Sequence, residues 1–250
     1  KDIRDIENRD KDAGASSRCR GRHLRLHVPI RIAHSHTNFS YKENVIRKLY
    51  EKVYRYLIYR CATHMVGCSV KAVESLFGKY RDKVIVINNG VDMSKFNPDL
   101  YLEKTNIDDA IQLIQIATFS ENKNQIFTIN VLDELIKRNV QARLRFVGRY
   151  SDQKSEQYYH EMKNLIYEKH LDKYIQFLPS NTDVAQALSE SDILIFPSYT
   201  EGFPLVPLEA QAMQKKCYIS DSVTNEIDCG GCTFFSIDKG SSVCAEMIIN

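Results

Sequence analysis

From Ala110 onward the chain alternates short apolar runs with longer amphipathic stretches, and this constrains the fold more than any other feature. Segments 111–117, 142–147, 174–178, 193–196 and 217–220 are apolar and short enough to be buried strands. Segments 125–138, 155–170, 183–190 and 208–216 read as helices, the third capped by Thr182 or Asn181. A further strand begins at Cys232, and a last helix is expected over 241–250. Strands joined by helices of this length form βαβ units and a parallel sheet. The right-handed crossover makes this a doubly wound, Rossmann-like α/β domain.

The earlier part of the chain is less regular. The first twelve residues are almost all charged, and 13–42 holds arginines but no acidic residue. No periodicity holds before Val28, so residues 1–28 read as a disordered or non-native tail, with a basic arm for lipid or nucleic acid as the alternative. A short strand is expected over 28–33, ending in His34-Ser35-His36. A helix follows over about 42–61, with Arg47, Lys48, Lys52, Arg55 and Arg60 interleaved among four tyrosines. It suits either packing against a sheet or peripheral contact with an anionic membrane. Strands at 65–69 and 84–87 flank a helix at 71–80, and Asn88-Asn89-Gly90 supplies a tight turn.

With 43% hydrophobic and 26% charged residues, the composition is that of a globular protein. No apolar run approaches the ~20 residues that span a bilayer. The charged N-terminus is no signal peptide, so a cytoplasmic location is expected, including the inner face of the cell membrane. A net charge of +2 points to no nucleic-acid partner. Seven cysteines are scattered, and Cys229-Gly230-Gly231-Cys232 is the close pair. A zinc site needs further ligands and a redox pair should open a helix, so reduced structural thiols are expected and no metal or cofactor is called for.

The chemistry concentrates in Thr200-Glu201-Gly202-Phe203-Pro204-Leu205-Val206-Pro207-Leu208-Glu209-Ala210. A strand ending in a glycine turn and opening a helix gathers free N–H groups and the positive end of a helix dipole, which suits a phosphate. Glu201 and Glu209 on either side can accept hydrogen bonds from sugar hydroxyls. This arrangement resembles the donor-site motif of retaining glycosyltransferases of family four, in the capsule and exopolysaccharide subgroup. The loop Thr118-Phe119-Ser120-Glu121-Asn122-Lys123-Asn124-Gln125 resembles the family's second phosphate loop, with Lys123 in place and Thr118 where an arginine is usual.

The resemblance implies a GT-B fold: residues 29–98 as a partial N-terminal, acceptor-side domain with linker, and 99–250 as the nucleotide-sugar-binding domain, both shortened. It implies retaining transfer of a sugar from a nucleotide-sugar to a lipid-linked or polysaccharide acceptor. Lys123, Glu201, Gly202, Phe203, Pro204, Leu205 and Glu209 would contact the donor. Lys123, Glu201 and His36 are the catalytic candidates; Glu209 is assigned to the ribose and Glu201 to the transferred sugar. The alternatives are a truncated, silent nucleotide-sugar-binding remnant and, with less support, a nucleotide-sugar epimerase. Because much of the acceptor wall is absent by this reading, the chain alone is expected to transfer little sugar.

Overall fold

The computed structural model describes residues 28–36, 45–101 and 110–250. The expected tail up to residue 27, and residues 42–44 of the first expected helix, lie outside them. The chain divides into two compact units, residues 1–87 and 88–250.

In the first unit, β1 (Ile32–Ser35), β2 (His64–Gly67) and β3 (Val84–Val86) form a parallel sheet in the order β1-β2-β3. β1 starts later than its apolar pattern suggests. Pro29 has no N–H to give a ladder, and the Arg31 guanidinium instead ties the approach by donating to Val28 O (2.7 Å) and Cys61 O (2.6 Å). Helix α1 (Val45–Cys61) leads into β2, and α2 (Val70–Phe77) lies between β2 and β3. α2 opens one residue before expectation because the Ser69 hydroxyl accepts from Ala72 N. It ends at Phe77, three residues early, because Gly78 takes φ +54°, and a 3-10 segment Gly78–Lys83 replaces its last turn. Met65, Val73 and Phe77 form the small core.

The second unit carries a six-stranded parallel sheet in the order β6-β5-β4-β7-β8-β9, from β4 (Ile111–Ile116), β5 (Ala142–Val147), β6 (Ile175–Leu178), β7 (Ile193–Phe196), β8 (Lys216–Ser220) and β9 (Cys232–Phe235). The connecting helices are α3 (Gln125–Lys137), α4 (Gln153–Glu168), α5 (Val184–Ser189) and α6 (Val206–Ala212), and α7 (Ser241–Ile249) follows β9. All four residues of β7 are buried, as a central strand covered on both faces requires. Leu113, Leu132, Leu144 and Phe146 are fully buried in a core that also takes in Phe235 and Ala245. α4 opens two residues early on a capping box, the Asp152 carboxylate accepting from Ser155 N while the Ser155 hydroxyl accepts from Asp152 N. α5 is capped by Asp183, not by Thr182 or Asn181, because one carboxylate oxygen accepts from both Ala185 N and Gln186 N.

The strand order reverses between β4 and β7. The chain leaves β4 toward β5 and leaves β7 toward β8, so the two connections run in opposite directions from neighbouring strands, the arrangement that in such sheets leaves a crevice at the C-terminal ends. Open α/β sheets bind ligands at such a switch point.

Candidate functional site

Both candidate loops meet at this crevice. Residues 117–125 follow β4, and 197–205 follow β7. The first loop holds a 3-10 turn (Glu121–Lys123), and Asn124 adopts a left-handed φ of 52° where α3 begins. Its shape is set by side chains behind it. Gln115, buried in β4, donates to Lys123 O (2.7 Å) and accepts from the Thr128 hydroxyl (2.6 Å). Gln125, also buried, donates to Thr118 O (3.0 Å) and closes the loop on itself. At the end of β5, a side chain on Gly148 would come within 2.1 Å of Ala117 O, so the glycine permits the close approach of the two strand ends.

The second loop is tied to the first. Tyr199 N donates to Asn122 O (2.9 Å), the Asn122 amide donates to Thr200 O (3.0 Å), and the Lys123 ammonium pairs with the Glu201 carboxylate. Both partners of this ion pair are largely sheltered, at 23% and 12% side-chain exposure, and the ammonium lies 5.9 Å from the centre of the Phe196 ring. Beyond Glu201, Gly202 and Phe203 are buried, and the Asn89 amide donates to Phe203 O (3.0 Å). Two asparagine amides thus hold the carbonyls at either end of the Thr200–Phe203 turn. Pro204 is half-buried and Leu205 is exposed.

α6 opens at Val206, two residues before expectation, with Leu205 at its cap and Pro207 in the first turn, where a missing N–H costs nothing. It ends at Ala212, before the expected 216. The N–H groups of Gly202 and Phe203 therefore belong to the turn ahead of the helix and not to its first turn. Glu209 sits half-buried in that first turn. Burial raises its carboxyl above the ordinary value, and the charge of Lys95 partly offsets this. His36 belongs to the first unit, at the end of β1, with its ring centre 3.8 Å from that of His34. Burial, then the neighbouring His36, lowers the pKa of His34.

Two buried polar atoms lie on the facing loops without a hydrogen-bond partner among the described residues: Asn124 Nδ2 and Ser198 Oγ. Sequence reasoning passed over Asn89, Asn122 and Gln115 as holders of these loops. Gln115 left a trace, a polar residue inside an otherwise apolar central strand. No group of three or more side chains suited to a metal ion occurs among the described residues.

The family model described as "Glycosyl transferases group 1" matches residues 99–226, just over half of the chain. The chain belongs to this family, and its fold is that of the GT-B enzymes. Among curated relatives, the putative glycosyltransferase EpsF of Bacillus subtilis is 30% identical over 88% of this chain, which spans 59% of EpsF. The capsular polysaccharide biosynthesis glycosyltransferase CapH of Staphylococcus aureus is 28% identical over 72% of the chain, which spans 49% of CapH. Among solved structures, Anabaena HepE in complex with UDP superposes with a TM-score of 0.74 at 18% identity, covering 87% of this chain and 61% of HepE.

Proposed function

We propose that residues 88–250 bind the donor of a retaining glycosyltransferase that builds a cell-surface polysaccharide, taking a sugar from a nucleotide-sugar and passing it to a lipid-linked or polysaccharide acceptor. The observation that carries this reading is the switch-point crevice, where the loop after β4 and the loop after β7 bring Lys123 and Glu201 into one sheltered ion pair. Lys123 supplies positive charge to the departing diphosphate, joined by backbone N–H groups of the Gly202–Phe203 turn. Glu201 orients the transferred sugar, and Glu209 accepts from the ribose diol. Retention follows if the leaving phosphate assists the incoming hydroxyl on the same face, so catalysis is mainly charge stabilisation and alignment. His36, at a sheet end in the first unit, is the candidate on the acceptor side.

A second reading is nucleotide-sugar binding without transfer. It is favoured by Thr118, which supplies no cation, and by Glu201, which already neutralises much of Lys123. α1 adds a peripheral contact with anionic lipid: Leu49, Val53 and Tyr56 are exposed together with Lys52 and Arg60. A panel of nucleotide-sugars incubated with a lipid-diphosphate-linked sugar tests the scheme. The expected product carries the donor's anomeric configuration. Donor binding with no product supports the second reading, an inverted product contradicts retention, and no donor binding removes both.

A further inference from the structure

Cys217 on β8 and Cys232 on β9 stand directly opposite each other in the parallel register. Neighbouring strands lie about 4.8 Å apart, inside the roughly 4.4–6.8 Å Cα separation that a disulfide bridges. Opposed residues of a parallel pair point to the same face, so both thiols lie on one side of the sheet. The ladder is tight here, with Cys217 N donating to Gly231 O at 3.0 Å. Both thiols are free. Cys217 is buried, Cys232 is partly exposed, and Cys229 is exposed. Cys229 is the cysteine nearest to Cys232 in sequence, but the strand register sets Cys217 opposite it, where the sequence alone predicts only reduced structural thiols.

We propose that Cys217 and Cys232 are a reversible disulfide site, closed by exchange with a small-molecule disulfide such as oxidised glutathione, which staples the edge strand β9 to β8. The Cys232 thiolate attacks one sulfur of the small disulfide and releases one thiol. Cys217 gives its proton to solvent and attacks Cys232 Sγ, which expels the second thiol. Two protein thiols and one small disulfide thus become one protein disulfide and two small thiols. The neighbouring Cys232 thiol and burial both make Cys217 reluctant to ionise. Because Cys217 is buried and Cys232 is partly exposed, a mixed disulfide forms first on Cys232 and ring closure follows.

The staple adjoins α6. Pro207 O lies 3.8 Å from Cys217 Sγ and also accepts from the Gln211 amide (3.0 Å). Gln211 donates to Ile227 O (2.9 Å), and its carbonyl accepts from Cys229 N (2.7 Å) and Gly231 N (3.3 Å), so the cysteine loop is fastened to the helix that carries Glu209. The disulfide site rests on strand register and not on the proposed donor site, so either can fail without the other.

The test is to incubate the full chain with excess oxidised glutathione, alkylate the remaining thiols, and map the peptides by mass spectrometry. The expected result is a loss of about 2 Da with a cross-linked Cys217–Cys232 peptide, reversed by dithiothreitol and preceded by a glutathione adduct on Cys232. Cys229→Ser should leave the cross-link intact, and Cys232→Ser should abolish it. If Cys217→Ser does not fold, the wild-type peptide map still decides. A Cys229–Cys232 link, or an adduct on Cys232 that never closes, would overturn the proposal.

Discussion

The two units use the same architecture to different depths. In residues 88–250, β4 and β7 sit mid-sheet with both faces covered, and the core runs unbroken from Leu113 to Ala245. In residues 28–87, α2 packs on one face of a three-stranded sheet. The other face presents Ile32, His34, His64 and Ile85 to solvent, with Ile32 at 63% and Ile85 at 57% exposure. Parallel strands are normally buried on both sides, so the first unit leaves apolar surface uncovered by any described residue. The second unit satisfies its own sheet and carries the crevice with Lys123, Glu201 and Glu209. The proposed donor site therefore draws its residues from the second unit alone.

The largest effect should come from the core. Leu132→Ala, at a fully buried position, should cost about 2–5 kcal/mol of stability, read from urea unfolding. Ile85→Thr on the open face should change stability by no more than about 0.5 kcal/mol. Equal losses at both sites would erase the contrast.

Lys123→Ala should weaken binding of the nucleoside diphosphate by about 1.5–3 kcal/mol, the worth of a charged hydrogen bond, measured by calorimetry across a panel of bases. Glu209→Ala should weaken the nucleoside diphosphate and the nucleotide-sugar alike, because both carry the ribose. Glu201→Ala should weaken only the nucleotide-sugar. If Glu201→Ala affects the two ligands equally, its assignment to the transferred sugar fails.

Smaller effects should appear in pH dependence, with opposite signs at two carboxylates of the second unit. Burial raises Glu209 in the fold, so its contribution to stability is favourable below the unfolded value and is lost as pH rises through the folded one. Glu209→Gln should therefore stabilise the ligand-free chain at neutral pH, and the gain should vanish in acid. Burial would raise Asp133 too, but hydrogen bonds from Lys169 (2.5 Å) and Lys137 (2.9 Å) outweigh it and hold its carboxyl below the ordinary value. Its contribution is present above the unfolded value and is lost as pH falls through the lowered folded one. Asp133→Asn should destabilise at neutral pH and less so in acid. Thermal melts of both variants across pH check the two signs, and parallel curves would contradict them.

The second unit's elements were legible because buried parallel strands are written as short apolar runs such as Ile193–Phe196, and the helices between them keep a 3.6-residue period. Helix ends were less so: α5, α6 and α2 start or stop where Asp183, Pro207 and Gly78 dictate, and several neighbouring residues could have played those parts. The clamps on the Thr200–Phe203 turn were not legible. Asn89 reaches Phe203 across 114 residues and Asn122 reaches Thr200 across 78, and no local pattern encodes a side-chain bond to a distant carbonyl. The opposition of Cys217 and Cys232 is likewise a product of strand register, visible only once β8 and β9 are aligned.

The most direct test of the central claim, that the donor is held at the β4/β7 crevice by the second unit, is amide hydrogen exchange with and without saturating UDP. The account predicts slowed exchange confined to 117–125 and 198–211, with residues 45–87 unchanged. Protection centred on 45–87, or none in either loop while UDP is bound, would contradict it.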